Sequence, residues 1–369
     1  MKTHKIIHII LGKANPNRCN GINKVVHELS KEQAKMGHDV EIWGISDAPE
    51  DSLYIHGRQF ATKVFHPRKL ALDKALKNEI NSTKDAFYHL HGGFIVENYL
   101  ASKLIKANNS SYCLSGHGSY SSEAMKVSWL KKKIYFALFE KTLIQDSKFL
   151  HLLGESETEF INSLKLSNTN YELQNGQRIS AAPSNQKKEE LVFGYCGRIN
   201  SYTKGLDILL EGFQTYLTNG GTGRLQLIGA GPELEELAAQ IKKKNLTDSI
   251  EFTGPKYGEE KDSLFDQFSA FIHTSRYEGM PTVVLEAAEQ AIPLILSKAT
   301  NLGTYVRESN AGIILEENTA ENLANALKVI ESRFSNNSIS EWSQNAREMI
   351  EQKFNWSTVA KQMTCRYFA

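Results

Sequence analysis

The sequence predicts an α/β protein built from two consecutive doubly wound domains, each with a parallel sheet. The chain has 369 residues, and at roughly 100–200 residues per domain this length corresponds to two domains. Short apolar runs alternate with segments of helical periodicity in both halves, which is typical of a parallel sheet covered by helices on both faces. Between residues 175 and 190 the composition changes to small and charged residues, which indicates a linker.

The chain begins with a predicted β-α-β unit. Residues 6–11 form an apolar run, Val25, Val26 and Leu29 follow helical spacing, and Gly37 stands where a C′ glycine ends a helix before the next apolar run. The remaining predicted strands are residues 40–43, 86–90, 112–115 and 149–153 in the first half, and 191–195, 224–228, 250–253, 270–273 and 293–296 in the second.

The charge balance argues against a dedicated nucleic-acid binder. The chain carries 43 Lys+Arg against 42 Asp+Glu, whereas nucleic-acid-binding domains usually have a strong basic excess. Residues 1–175 have 23 basic and 18 acidic side chains, and residues 176–369 have 20 and 24. This split predicts that the two halves face different partners.

The N-terminal apolar run and the cysteines bear on the compartment. The run is interrupted by His8 and is far shorter than the ~20 residues that span a bilayer, and no secretory signal pattern precedes it. The four cysteines lie far apart without CxxC spacing, which fits neither a disulfide framework nor a zinc site. We therefore expect a cytoplasmic protein; the cysteines are Cys19, Cys113, Cys196 and Cys365.

Residues 275–286 predict an anion site at the start of a helix. Pro281 suits the first helical position, and Gly279 lets the backbone approach a ligand closely. Free amides at a helix N-terminus bind anions with the help of the helix dipole. The amides expected to do so are those of Gly279, Met280, Thr282 and Val283.

Two carboxylates separated by seven residues, Glu278 and Glu286, flank this predicted site. Glu286 lies on the same helical face as Thr282, and Glu278 lies on the preceding loop. Taken alone, such a spacing is more typical of solvated carboxylates on a helix capped by chance, so its interpretation depends on the rest of the chain.

Two cations are predicted near the carboxyl end of a strand. Arg198 follows the strand that ends at Gly197, and Lys204 precedes the next helix. Both suit a diphosphate, because charge-assisted hydrogen bonds contribute roughly 1.5–3 kcal/mol each. Taken singly, they could equally be surface charges. A glycine-rich turn, residues 229–232, follows a further strand.

Together these segments resemble glycosyltransferase family 4, a group of retaining enzymes with the GT-B fold, over nearly the whole chain. The resemblance implies two Rossmann-like domains facing an interdomain cleft. Residues 1–180 would bind the acceptor, residues 181–350 the nucleotide-sugar donor, and residues 351–369 would form a helix crossing back to the first domain. The matching motifs are Gly197-Arg198, Lys204-Gly205-Leu206-Asp207, Gly229-Ala230-Gly231-Pro232, Phe252-Thr253-Gly254 and Glu278-Gly279-Met280-Pro281 with Glu286.

The resemblance also implies roles for the predicted site residues. Arg198 and Lys204 would hold the diphosphate and stabilise the departing nucleotide, Glu278 would contact hydroxyls of the transferred sugar, and Glu286 would accept hydrogen bonds from the ribose diol. No covalent nucleophile, catalytic metal or other cofactor is expected, and no Asp-x-Asp motif is present. Donor contacts are also implied for Gly197, Gly279, Met280, Pro281, Thr282 and Val283.

The first half matches the family through its loops. Where the family usually has paired glycines, this chain has Asn20-Gly21, with Gly21 as a donor contact. The resemblance places His117 in the cleft near the transferred sugar, with a catalytic role. For His91 and Gly92, a part in acceptor binding and a purely loop-stabilising part both remain open.

Residues 126–139 combine clustered lysines, Lys126 and Lys131–Lys133, with aromatic residues at helical spacing. One interpretation is an ordinary amphipathic helix packed on the domain. The other is contact with an anionic membrane, where each lysine contributes about 1 kcal/mol. The stretch resembles enzymes of bacterial surface polysaccharide synthesis, whose acceptors are often lipid-linked, which implies peripheral association with the inner face of the plasma membrane.

The expected function is therefore retaining transfer of a sugar from a nucleotide-diphosphate sugar to a glycan acceptor. Two alternatives remain open: a nucleotide-sugar 2-epimerase of the same fold, and a non-catalytic nucleotide-sugar-binding subunit. Nucleic acid is not an expected partner.

Overall fold

The computed structural model describes residues 3–14, 21–47, 60–180 and 188–369. Asn20, Cys19 and residues 181–187 of the predicted linker lie outside the described residues. The chain divides into two compact units: a first unit of Met1–Gly176 with Trp356–Ala369, and a second unit of Gln177–Asn355.

The first unit contains a parallel sheet covered by helices. The described strands are β1 (Lys5–Leu11), β2 (Asp39–Ile45), β3 (Ala61–Phe65), β4 (Ala86–His91), β5 (Ser111–Ser115), β6 (Phe149–Leu152) and β7 (Asn170–Glu172). Their order in the sheet is β3-β2-β1-β4-β5-β6-β7. The helices are α1 (Gly21–Lys35), α2 (Lys74–Ser82), α3 (Val96–Ala107), α4 (Ser122–Lys126), α5 (Trp129–Tyr135), α6 (Lys141–Gln145) and α7 (Glu155–Ser163), with a π-helical turn at Phe136–Glu140.

Strand β1 is buried on both faces, which explains its continuous apolar run. Ile7 and Ile9 belong to the hydrophobic cluster on one side of the sheet, and Ile6 and Ile10 belong to the cluster on the other. Successive side chains of a strand point to opposite faces, so a central strand of a covered sheet must be apolar at every position.

Helix α1 ends as the sequence predicts. Its last residue is Lys35, and Gly37 follows with φ +87°. The Gly37 amide donates to the carbonyl oxygen of Ala34 over 2.9 Å. The predicted C′ glycine is confirmed.

The second unit repeats the architecture with a parallel sheet of its own. The described strands are β8 (Val192–Cys196), β9 (Arg224–Ile228), β10 (Ile250–Gly254), β11 (Ala270–His273), β12 (Leu294–Ser297) and β13 (Gly312–Leu315). Their order is β10-β9-β8-β11-β12-β13. The helices are α8 (Ser201–Lys204), α9 (Leu206–Thr218), α10 (Leu234–Lys243), α11 (Gly258–Phe265), α12 (Thr282–Glu289), α13 (Gly303–Glu308), α14 (Ala320–Ser335) and α15 (Ile339–Lys353), with a 3₁₀ turn at Lys298–Thr300.

The last helix, α16 (Trp356–Phe368), packs in the first unit, where Trp356 and Val359 are buried. A Cβ atom on Gly176 would lie 2.4 Å from the Trp356 ring, so only glycine fits beneath the indole. The expected domain boundaries at residues 180 and 350 shift to Gly176 and Asn355, because α15 continues to Lys353 before the chain returns.

Among the helices within the described residues, none combines the length and the apolar character needed to cross a membrane.

Candidate functional site

The loop between β11 and α12 carries Glu278 and is fixed by side chains from the following elements. Ser297 Oγ donates to the carbonyl oxygen of Ser275 over 2.6 Å. Asn301 Nδ2 donates to the carbonyl oxygens of Glu278 (3.2 Å) and Gly279 (2.6 Å). Hydrogen bonds therefore hold the backbone of this loop before Glu278, at Ser275, and also at Glu278 and Gly279 themselves.

One oxygen of the Glu278 carboxylate collects three donors. Oε1 accepts from the Lys204 ammonium, from His273 Nε2 (2.9 Å) and from Ser275 Oγ (2.8 Å). Burial opposes ionisation, but the His273 hydrogen bond and the Lys204 charge outweigh it and lower the pKa of Glu278 to about 2. Glu278 is therefore an anion at neutral pH. Its Oε2 has no hydrogen-bond partner within the described part of the chain, which leaves an acceptor for a ligand hydroxyl.

Lys204 reaches Glu278 because Gly205 lets two backbones meet. Gly205 has φ +62°, and a Cβ atom there would lie 2.0 Å from the carbonyl oxygen of Thr274. Thr274 Oγ1 in turn donates to the carbonyl oxygen of Gly205 over 2.9 Å. The glycine in the Lys-Gly-Leu-Asp segment thus places the lysine beside the loop that carries its carboxylate.

Asp207 and Arg276 make a second connection between the same two segments. The guanidinium donates twice to the carboxylate, over 2.8 Å to Oδ1 and 2.6 Å to Oδ2. Burial would raise the pKa of Asp207, but the hydrogen bonds from Arg276 lower it. This pair holds the start of α9 against the loop, so Asp207 helps to position the loop that carries Glu278.

Glu286 is paired with a lysine of its own. Lys261 Nζ lies 2.6 Å from Glu286 Oε2, and the two side chains are only 12% and 13% exposed. Burial would lower the pKa of Lys261, but the charge of Glu286 raises it. The two predicted carboxylates are therefore held by different lysines, Lys204 and Lys261, and the second of these was not predicted.

Helix α12 begins one residue later than the sequence indicates. Pro281 has φ −72° and ψ 109° and caps the helix from outside, and Thr282 is the first helical residue. The extended ψ keeps Pro281 out of the helix, while its carbonyl oxygen accepts from the Val284 amide over 3.0 Å. The amides of Thr282 and Val283 precede this first bond, as the predicted anion site requires.

Gly197 and Gly229 allow the loops after β8 and β9 to pack backbone against backbone. A Cβ atom on Gly229, which has φ +151°, would lie 1.9 Å from the carbonyl oxygen of Gly197. Arg198 follows directly and is exposed. Its guanidinium makes no hydrogen bond or ion pair with the described residues, so the structure does not join it to the Lys204–Glu278 pair.

In the first unit, His117 occupies a strained loop position after β5. Its φ is +52°, which is uncommon for a residue other than glycine. Its Nε2 lies 3.0 Å from Nδ1 of His91. His91 is 1% exposed, and its other ring nitrogen bonds to His8. Both ring nitrogens of His91 are therefore engaged, which favours the loop-stabilising part over a direct contact with an acceptor sugar.

The two predicted glycines of the first unit lie at loop ends. Gly92 has φ +96°, and its amide donates to the carbonyl oxygen of Ser115 over 2.8 Å, which ties the loops after β4 and β5 together. Gly21 is the first residue of α1 and is partly buried.

Helix α5 and the turn after it present apolar side chains outward, and we call Trp129, Leu130, Ile134 and Leu138 the α5 surface. All four are more than half exposed, at 53–60%, and no residue of α5 is buried. The interpretation of a helix whose apolar face packs on the domain is therefore wrong for these residues. Lys131 and Lys133 are exposed, whereas Lys132 turns inward and donates to the carbonyl oxygen of Ala124 over 2.6 Å.

Comparisons with known proteins agree with this architecture. Residues 177–349 match the family model of group 1 glycosyl transferases. WcaL of Salmonella typhimurium, a glycosyltransferase assigned to colanic acid biosynthesis, is 27% identical over 166 residues, which is 43% of this chain and 41% of WcaL. The match thus spans less than half of the length of this curated relative.

Two solved structures superimpose on nearly the whole chain. Sucrose-phosphate synthase from Thermosynechococcus elongatus has a TM-score of 0.82 at 18% identity, covering 99% of this chain and 98% of that one. HepE from Anabaena, solved with UDP and glucose, has a TM-score of 0.76 at 16% identity and covers 98% of both chains. The predicted fold class is confirmed: the chain has the GT-B fold of two Rossmann-like domains.

Proposed function

We propose that this protein is a retaining glycosyltransferase that moves a sugar from a nucleoside-diphosphate sugar to a glycan acceptor. The observation that carries the proposal is the ionised Glu278, held by Lys204, His273 and Ser275 just before the N-terminus of α12, in the region that matches the group 1 family. An anion with an unused oxygen suits sugar hydroxyls, and the adjacent helix amides suit phosphate.

The donor is bound by the second unit in this proposal. Lys204 and Arg198 neutralise the diphosphate, Glu278 Oε2 accepts from a hydroxyl of the sugar, and Glu286 accepts from the ribose diol. The exposed guanidinium of Arg198 is available for this purpose. Further donor contacts in the second unit are assigned to the backbone of Gly197, Gly279, Met280, Pro281, Thr282 and Val283.

The reaction needs no covalent nucleophile and no metal in this scheme. The bond between the anomeric carbon and the diphosphate oxygen breaks, and its electron pair stays on that oxygen. The acceptor oxygen bonds to the anomeric carbon on the same face, and its proton passes to a donor phosphate oxygen. Lys204, Arg198 and the amides before Val284 stabilise the developing negative charge without reorganising.

The acceptor is proposed to be a lipid-linked glycan of bacterial surface polysaccharide synthesis, bound by the first unit with contributions from His117 and Gly92. WcaL, the relative assigned to colanic acid biosynthesis, supports the pathway. The α5 surface supports the lipid, since an apolar helix face flanked by exposed lysines suits an anionic membrane.

The donor assignment is tested by ligand-dependent thermal stabilisation. At 100 times its dissociation constant, a nucleoside diphosphate should add about 2.7 kcal/mol to the free energy of unfolding. The 2′-deoxy analogue should stabilise the wild type less, because Glu286 loses a hydroxyl partner, and the Glu286→Ala variant should no longer distinguish the two ligands. Equal discrimination in both proteins would contradict the ribose contact. Conversion of the donor sugar without any acceptor would instead favour the 2-epimerase.

Membrane binding is tested with vesicles containing anionic phosphatidylglycerol. Lys131→Glu together with Lys133→Glu is expected to lower the partition coefficient roughly 30-fold or more, since each lysine contributes about 1 kcal/mol. The matched control is Lys242→Glu with Lys243→Glu, two exposed lysines at the end of α10. Co-sedimentation that is the same for wild type and both variants would refute the membrane contact.

A further inference from the structure

A relay of two hydrogen-bonded chains crosses the interior of the first unit, and its second chain ends at His117. It connects five histidines through side chains of β1, β4, β5, β6, α1 and α16. The first chain runs from the Leu173 carbonyl oxygen to His151 Nε2 (2.7 Å), from His151 Nδ1 to Ser115 Oγ (2.6 Å), from Ser115 Oγ to His89 Nε2 (2.5 Å) and from His89 Nδ1 to the Tyr367 hydroxyl (2.6 Å). The second chain runs from Thr364 Oγ1 to Gln33 Nε2 (3.2 Å), from Gln33 Oε1 to His8 Nε2 (2.8 Å), from His8 Nδ1 to His91 Nε2 (2.9 Å) and from His91 Nδ1 to His117 Nε2 (3.0 Å).

The five histidines of the relay are neutral. Burial lowers the pKa of His8 and His151 to about 4 and that of His117 to about 3. Burial likewise lowers the pKa of His89 and His91, and the neighbouring histidines lower it further. A neutral imidazole has one N–H donor and one acceptor nitrogen, so each ring passes the direction of its hydrogen bond to the next ring.

The direction of the hydrogen bonds in the first chain of the relay is set by a group that can only accept. The Leu173 carbonyl oxygen requires a proton on His151 Nε2, so His151 Nδ1 accepts from Ser115. Having given its one proton, the Ser115 hydroxyl accepts from His89 Nε2, which leaves His89 Nδ1 as an acceptor for the Tyr367 hydroxyl.

The second chain is directed by the Gln33 amide. Its NH₂ group donates to Thr364 Oγ1 (3.2 Å), and its Oε1, which can only accept, faces His8 Nε2. His8 therefore carries its proton on Nε2 and accepts on Nδ1.

The same rule applied to the last two rings gives the protonation of His117. His91 donates through Nε2 to His8 and accepts on Nδ1, so His117 donates through Nε2. Its Nδ1 is then an unprotonated nitrogen, and it has no hydrogen-bond partner in the part of the chain that the structure describes.

We propose that this relay locks His117 in the Nε2–H tautomer, so that its Nδ1 accepts a hydrogen bond from a hydroxyl of the sugar substrate. Gln33 is a positioning residue, because it acts on the substrate only through the histidines. The substrate contact rests on the proposed glycosyltransferase function, whereas the tautomer does not.

A metal ion is the competing explanation for three of these rings. Ligand atoms of His8, His89 and His91 lie within 4.8 Å of one another, which is a spacing that a zinc ion could use. However, all six ring nitrogens already have hydrogen-bond partners within the relay, and a metal would have to displace several of them.

The tautomers can be measured by NMR of the ¹⁵N-histidine-labelled full chain, because protonated and unprotonated ring nitrogens resonate far apart. His117, assigned by the loss of its signals in His117→Asn, is expected to show a protonated Nε2 and an unprotonated Nδ1. In Gln33→Met, His8, His91 and His117 should lose their single tautomer, while His151 keeps its own because Leu173 still directs it. Tyr367→Phe removes only the last partner of the first chain and should leave the tautomers of His8, His91 and His117 unchanged.

Two results would overturn the relay. One is a protonated Nδ1 or a tautomer mixture at His117 in the wild type, and the other is a joint shift of His8, His89 and His91 on adding Zn²⁺. Addition of a nucleotide-sugar that stabilises the protein is expected to shift His117 Nδ1 toward hydrogen-bonded values. A bound donor that leaves this signal unmoved in the presence of acceptor would refute the substrate contact alone, whereas absence of donor binding would count against the proposed function and leave the relay intact.

Discussion

Replacement of Lys204 by methionine is expected to lower the rate of sugar transfer roughly 10²–10³-fold, which corresponds to about 2.7–4 kcal/mol of lost transition-state stabilisation. Lys204 is the cation bound to Glu278, and in the proposed reaction it also faces the diphosphate on which negative charge develops. Methionine keeps most of the aliphatic stem but removes the charge. The measurement is the initial rate of nucleoside diphosphate release in the presence of acceptor.

The matched control is Lys328→Met. Lys328 Nζ lies 2.9 Å from Glu331 on α14, so this variant also breaks an ion pair of the second unit. Its rate of transfer should equal that of the wild type, because a partly exposed pair of residues three positions apart on a helix contributes only about 0–1 kcal/mol to stability. Transfer by Lys204→Met within a few-fold of the control would refute the placement of the diphosphate beside Lys204.

The central strands of both sheets could be predicted from the sequence, whereas β3, β7 and β13 could not. All three lie at the edge of a sheet and have a strand neighbour on one side only. Strand β7 has no buried residue, and β3 has Lys63 at its centre. A central strand is apolar because both faces are covered, and this requirement is relaxed at an edge, so the apolar run that marks a strand is missing from β3 and β7. Strand β13 does contain such a run, Ile313, Ile314 and Leu315, but the run is only three residues long.

The candidate site shows the same limit in another form. Lys204 and Glu278 could be predicted because they belong to segments with a recognisable spacing, but His273 and Lys261 could not, since neither of them belongs to such a segment. One signal was available. His8, His89, His151 and His273 each interrupt an otherwise apolar strand, and a buried polar side chain in such a place needs a hydrogen-bond partner. These histidines prove to be the ones that bond to the predicted site residues or to the relay behind them.

A single methyl group at position 205 is expected to damage both stability and activity. Gly205→Ala places a Cβ atom 2.0 Å from the carbonyl oxygen of Thr274 and forces alanine to adopt φ +62°. The backbone must move, and the expected loss in the free energy of unfolding is roughly 2–4 kcal/mol. Because Lys204 directly precedes this residue, transfer activity should fall even at temperatures where the variant remains folded.

Gly220→Ala separates the two contributions to this loss. Gly220 also has a left-handed backbone, with φ +77°, but nothing lies within 4 Å of its Cβ position. This variant therefore measures the conformational cost alone, about 1–2 kcal/mol, and should transfer sugar at the wild-type rate. Calorimetric unfolding of the two variants side by side gives the comparison. If both lost the same stability, the close approach of Gly205 to Thr274 would contribute nothing, and the explanation for why a glycine follows Lys204 would have to be abandoned.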